Sequence, residues 1–253
     1  MILKKTAQNG QKIEEDEEVE NKGKLIIDAT CCPADIRYPT DISLLNEARE
    51  KCEKMIDQLC QSAKDQGIKK PRDYRQNAHR DFLDFIKRRK PGLSTRRKAV
   101  KKQLQYLRRD LKHIKALLGY VKSDLISITV WSQLEILEEL YNQQHYMWKN
   151  HVQRCDHRIV SISQPHVRPI VRGKAGKPVE FGAKISVSLI DGFCFIDRLS
   201  WESYNESTDF KMQVERYKER YGCYPESIHA DKIYLTRENR RLCRDEYNCR
   251  LSG

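Results

Sequence analysis

Two short apolar runs, far apart in the chain, each end in an aspartate. The first is Lys24-Leu25-Ile26-Ile27-Asp28-Ala29-Thr30, followed by Cys31-Cys32-Pro33. The second is Ser227-Ile228-His229-Ala230-Asp231, which follows a Tyr-Gly-Cys-Tyr-Pro turn and precedes a helix start at Thr236-Arg237-Glu238-Asn239. A short apolar run bounded by turn formers reads as a buried strand. A carboxylate at the end of such a strand is costly to bury unless it is paired or holds a metal. Taken singly, each aspartate reads equally well as a strand-end or capping residue. Taken together, Asp28 and Asp231 are placed to meet on neighbouring strands and share a divalent cation.

The space between them is mostly helical. Thr40 or Asp41 caps a helix over about 41–62, with Ile42, Leu45, Ala48, Cys52, Met55, Ile56 and Leu59 as its apolar stripe. Gly67 and Pro71 break it, and a second helix is expected over 74–90. Ser94 then caps a long helix whose apolar set is Val100, Leu104, Leu107, Leu111, Ile114, Leu118, Val121 and Leu125. Those steps alternate four and three, a heptad seam. A further segment over roughly 129–150 carries Leu134, Leu137, Tyr141 and Trp148, so the pair reads as a helical hairpin turning within 119–128.

Beyond Arg158 the pattern shifts to strands. Ile159–Ile162 reads as a short strand, and Gln164–Pro178 as a basic, Pro/Gly-rich loop. Val179–Leu189 and Phe193–Leu199 alternate about Asp191-Gly192, a strong hairpin signal. A helix over Ser207–Arg220, the Asp231 strand, a helix over 236–246 and a short strand at Cys249–Leu251 complete the order. With the block at about 41–150 taken as an insertion, the remainder is β-β-β-α-β-α-β. That is the order of a ribonuclease-H-like mixed sheet, in which the first and fourth strands are parallel neighbours. The fold expected is therefore α/β, a ribonuclease-H-like sheet interrupted by a long helical insertion.

Charge points to a partner. The chain carries a formal net charge of +12, and Lys64–Lys122 alone holds 20 Lys/Arg against 5 Asp/Glu. Such a block suits a polyanion, most directly nucleic acid, although a solvated helical face has the same composition. Arg88, Arg89, Arg96, Arg97, Lys101 and Lys102 are the candidate DNA contacts here, joined by Arg168, Arg172, Lys174 and Lys177 from the basic loop. Residues 1–23, with the run Glu14-Glu15-Asp16-Glu17-Glu18, read as a flexible acidic leader. No run of eighteen apolar residues is present, so no membrane span is expected. The leader has no secretory pattern, and nine irregularly spaced cysteines suggest free thiols in a reducing compartment. A cytoplasmic, nucleoid-associated location is the expectation.

Several strings resemble the DDE domain of bacterial insertion-sequence transposases, of the retroviral-integrase superfamily. They are Asp28-Ala29-Thr30 with Pro33–Asp41 and Leu44–Arg49, Val167–Lys174 with Glu180–Lys184, and Ala230-Asp231-Lys232 with Glu238-Asn239-Arg240. The resemblance covers about 24–253. It implies a transposase that cleaves and transfers DNA strands at insertion-sequence ends, using three acidic residues and Mg²⁺ or Mn²⁺ ions. Asp28 would be the first acid and Asp231 the second.

The family's catalytic glutamate lies on a helix well beyond the second aspartate, whereas this sequence runs 22 residues past Asp231. Glu238 and Glu246 fall on the intervening helix. The family also has a Lys or Arg and then Gly after the second aspartate, where this chain has Lys232-Ile233. The expectation is a transposase piece truncated at both ends and inactive alone. Two other readings stand beside it. One is a non-catalytic DNA-binding or regulatory remnant that pairs with itself or with an intact transposase. The other is a ribonuclease-H-type nuclease drawing its third acid from Asp191 or Asp197.

Overall fold

The computed structural model describes residues 20–64, 67–121, 127–174 and 177–253, the side chains of 172–178 excepted. The elements in order are β1 (Lys24–Pro33), α1 (Asp41–Ser62), α2 (Arg75–Ile86), α3 (Leu93–Leu118), α4 (Ile128–Asn150), β2 (Arg168–Lys174), β3 (Lys177–Ile190), β4 (Phe193–Ser200), α5 (Phe210–Tyr221), β5 (Ser227–Ala230), α6 (Arg237–Asp245) and β6 (Arg250–Ser252). The protein is mixed α/β, with a curled mixed sheet. It divides into two compact units. One comprises residues 1–30, 185–198 and 205–253, the other 31–184 and 199–204. Most of the acidic leader lies outside the described residues, as do 122–126 of the helical turn.

The six-stranded sheet runs β2-β3-β1-β5-β6, and β4 pairs with β3 off this path; β1, β4, β5, β6 and the end of β3 belong to the first unit. β1 and β5 run parallel, with Lys24 opposite Ser227, Leu25 opposite Ile228, Ile26 opposite His229 and Ile27 opposite Ala230. β6 continues parallel to β5 on its far side. The β3–β4 hairpin turns at Asp191 (φ 48°) and Gly192 (φ 84°). Successive positive φ values of this kind make the tight turn that suits the strand twist. Leu25, Ile27, Ile228 and Ala230 form a core with Phe210, Val214 and Tyr217 of α5 and with Leu242 and Cys243 of α6. Thr236 starts α6 by accepting the Asn239 N–H at 3.1 Å.

The second unit is the helical block. Helices α1 to α4 occupy 41–150; α1, α3 and α4 share one buried cluster, and α2 packs against α3 and α1. Thr40 and Ser43 form a reciprocal capping box at the start of α1. The long helix begins at Leu93, and its N-cap is Gly92 without a side-chain bond, not Ser94. It packs most extensively on α1, and also on α4, so the seam serves more than the expected hairpin. Leu104, Leu107, Leu111 and Ile114 are buried as the heptad requires, but the next buried position is Leu117, with Leu118 only partly covered. Because α3 packs on both α1 and α4, its buried face is wider than a single two-helix seam.

Two segments differ from the expected strands. Ile159–Ile162 is irregular backbone; Ile159 and Ile162 enter the helical core, and the Ile159 N–H donates to Gln143 Oε1 at 2.9 Å. Their apolarity serves helix packing, so no strand partner is required. Arg168–Lys174, expected as loop, is β2, antiparallel to β3, with Arg168 opposite Gly182 and Val171 opposite Val179. Pro169 sits in this strand where it pairs with Phe181. A proline is tolerated in a sheet when its missing donor is not needed by a neighbour.

Candidate functional site

Asp28 and Asp231 both belong to the first unit. The last register pair of β1 and β5 is Ile27 with Ala230, so the next residue along each strand is one of these two aspartates. Neighbouring strands lie about 4.8 Å apart. Leu25 and Ile27, like Ile228 and Ala230, point into the core. Strand alternation therefore turns Asp28 and Asp231 to the opposite face, on which Ile26 and His229 also lie. Both aspartates are exposed. The Asp28 carboxylate accepts the Ala29 N–H at 2.7 Å. Asp231 precedes a short 3-10 turn over Lys232–Tyr234 in extended backbone, and its side chain caps nothing there. Both carboxylates thus keep lone pairs free on one edge of the sheet.

His229 was not singled out from the sequence. It shares the face of Asp231 and is 2.9 Å through Nδ1 from Ser252 Oγ on β6. Burial, with Lys24 and Arg250 nearby, holds its imidazole below the usual range. Period-2 alternation from Asp231 was the signal that could have found it.

The other acids are placed elsewhere. Asp197 is buried on β4 and committed: it accepts from Ser188 Oγ, from Gln213 Nε2 at 3.2 Å and from Arg220 at 3.1 Å, with Arg216 at 3.7 Å. β4 pairs with β3, whereas Asp28 lies on β1 and follows its pairing with β5. Asp191 sits at the hairpin tip. Glu238 and Glu246 are exposed on and just after α6. Among the described residues no three His, Cys, Asp or Glu side chains gather where they could hold a metal. Hard oxygen donors at Asp28 and Asp231 fit one Mg²⁺ or Mn²⁺ ion that keeps most of its water. A two-ion arrangement would need a further ligand.

The basic candidates belong to the second unit and divide by what they already touch. Arg88 and Arg89 are exposed just beyond α2, and Arg96 is exposed on the first turns of α3. Arg88 and Arg96 spend only their Nε groups on backbone carbonyls, of Asp84 and Pro91. Lys101 is exposed, 5.7 Å from the Trp148 ring centroid. Lys102 is paired with Asp81 at 3.0 Å. Arg97 is bound into the helix pair, donating to the Trp148 carbonyl at 2.8 Å and lying over its ring. Arg168 pins its own segment by bonding Glu202 at 3.1 Å and the carbonyls of Pro165 and Val167. The side chains of Arg172, Lys174 and Lys177 lie outside the described residues.

Arg88 and Arg96 line a cleft of about 1320 Å³ within this unit, together with Arg37 and Arg154. Phe85 and Tyr146 supply aromatic surface in the same cleft. Arg37 and Arg154 escaped the sequence reading because neither lies in a dense basic run. No described helix is long and apolar enough to cross a membrane. Comparison with protein-family models, with curated proteins and with solved structures gave no match.

Proposed function

We propose that this chain is a DNA-acting protein of the DDE transposase type, with Asp28 and Asp231 as its metal-holding acids. One observation carries the reading: the parallel register of β1 and β5 leads both chains, side by side, into these two aspartates. The succession β3-β1-β5-β6, with β4 paired to β3 and the helical block following the first strand in the sequence, supports a ribonuclease-H-like sheet. Strong but distributed charge on the helical unit supports duplex DNA as the partner, through Lys and Arg contacts to phosphates.

A bound Mg²⁺ or Mn²⁺ would neutralise charge on a phosphodiester and activate an attacking oxygen. The residues of this chain contribute in separate ways. Asp28 and Asp231 present acceptor oxygens on one face of the sheet. The Ala29 N–H holds the Asp28 carboxylate in place. Arg88, Arg89, Arg96 and Lys101 offer cations to a DNA backbone.

A second reading, a DNA-binding or regulatory role without strand chemistry, rests on the basic side chains of the helical unit alone. It shares the DNA partner and differs in turnover. Titration calorimetry with Mn²⁺ tests the metal reading. One site is expected in the parent protein, lost in both Asp28→Asn and Asp231→Asn with the helical circular dichroism unchanged. Equal Mn²⁺ binding by the parent and both variants would rule out the paired-aspartate site.

A further inference from the structure

Cys243 and Cys249 stand apart from the other cysteines. Cys243 is buried in the last turns of α6, and Cys249 is half-buried one residue before β6. Each is the main influence on the other's titration. The chain between them reverses tightly. The Glu246 and Tyr247 amides both donate to the Leu242 carbonyl at 3.0 Å, Asn248 takes a left-handed φ of 46°, and the Cys249 amide donates to the Cys243 carbonyl at 3.0 Å. That last bond clamps the two backbones where the sulfurs meet. A disulfide needs Cα atoms roughly 4.4–6.8 Å apart and side chains that converge. The amide–carbonyl clamp between Cys249 and Cys243 suits the first, and both residues line one cavity.

Access is present as well. Cys243 and Cys249 both line an open cavity of about 410 Å³, with Arg244, Asn248 and Arg250 around it. The cavity lies within the first unit. Chemistry distinguishes the pair further. Hydrogen bonding from Cys243, with a smaller contribution from a backbone amide, pulls the Cys249 thiol below its ordinary range, while its partner is pushed up. Burial drives the Cys52 thiol far up, and burial also raises Cys60 and Cys155. A thiolate is the nucleophile in thiol oxidation, and its formation follows access and a lowered pKa.

We propose that Cys243 and Cys249 form a peroxide-reactive dithiol that closes to an intramolecular disulfide. Cys249 is the attacking thiolate. Its sulfur bonds one peroxide oxygen, the O–O bond breaks, and hydroxide leaves and is protonated to water. The Cys249 sulfenic acid is then attacked by the Cys243 sulfur. The S–S bond forms, the S–O bond breaks, and the departing hydroxide takes up the Cys243 proton as a second water. Two thiols are oxidised by two electrons and one hydrogen peroxide is reduced. The bond ties the end of α6 to the start of β6, which pairs with β5, the strand that leads into Asp231.

Mass mapping of the full-length protein under non-reducing conditions, after one equivalent of hydrogen peroxide, tests this. The expected product is a single peptide pair linked through Cys243 and Cys249, restored by dithiothreitol, with Cys52 still alkylatable after unfolding. Cys243→Ser should instead leave a dimedone-reactive sulfenic acid at Cys249, and Cys249→Ser should leave Cys243 unoxidised under the same dose. A different predominant disulfide would overturn the proposal. So would Cys249 remaining a free thiol in the parent protein while other cysteines oxidise. Because the decisive readout is on the unsubstituted protein, poor folding of either variant leaves the test intact.

Discussion

Replacing Asp110 with Asn should make the helical unit more stable at neutral pH, against the usual cost of altering a buried charge. Asp110 lies on α3, 5% exposed, facing Glu53 (8%) and Arg49 (1%) of α1. The Arg49 guanidinium is spent on Glu53 and on Asn46 Oδ1, the latter at 2.7 Å. Burial first, and the Glu53 charge second, push the Asp110 carboxyl up to about 7 from 3.8; Arg49 and Arg109 pull the other way. A carboxyl with a raised folded pKa binds its proton more tightly in the native state. Its favourable contribution is full below about pH 4 and is lost as the pH climbs through about 7.

One proton over about three pH units, at about 1.4 kcal/mol each, corresponds to a span of about 4 kcal/mol at most. Relaxation around the ionised group brings the expectation to about 2–4 kcal/mol. The stability difference between Asp110→Asn and the parent protein should therefore move in the variant's favour by that amount between pH 4 and pH 8. Taking the difference cancels acids such as Asp57, whose pKa is lowered mainly by its hydrogen bond to Arg75 and whose stabilising effect is lost on acidification. Urea unfolding followed by tryptophan fluorescence suits the measurement, since Trp131, Trp148 and Trp201 all lie in the helical unit. A difference that stays constant across this range, or that moves in the parent's favour, would refute the reasoning.

Four further outcomes are expected. Duplex DNA binding should weaken by about an order of magnitude or more between low and moderate salt if several phosphates are contacted, and charge reversal at Arg96 and Lys101 should weaken it further; a flat salt response in filter binding or anisotropy contradicts this. Arg97→Glu, by contrast, should also lower thermal stability, because Arg97 holds the Trp148 carbonyl and ring. Gly182→Ala should destabilise by several kcal/mol on a chemical-denaturation curve, since a Cβ would fall 2.1 Å from the Cys32 carbonyl oxygen and 2.9 Å from Pro33 Cα, both backbone atoms. In a strand-cleavage assay with Mg²⁺ or Mn²⁺, any metal-dependent cleavage should be lost in Asp28→Asn; cleavage that survives that substitution would place the chemistry elsewhere.

What the sequence determined by itself was local. The α1 helix reads from its stripe and its Thr40 cap because an i, i+3, i+4 pattern and a capping side chain act within a few residues. The Asp191-Gly192 turn reads likewise, since the positive φ values it needs are a property of those two residues. The four helices over 41–150 and the two strand-end aspartates were legible for the same reason. Tertiary structure decided the rest. Ile159–Ile162 is as apolar as a strand, but Gln143 and the helical core claim it. Arg168–Lys174 carries loop composition and becomes a strand because β3 offers it a ladder. Arg97, Lys102 and Arg168 are indistinguishable from Arg88 and Arg96 in a list of charges, and only the fold reveals the carbonyls and carboxylates that occupy them. The alignment of Asp28 and Asp231 just past the last β1–β5 pair depends on a register across some two hundred residues, whose hydrogen bonds form only between strands already brought together.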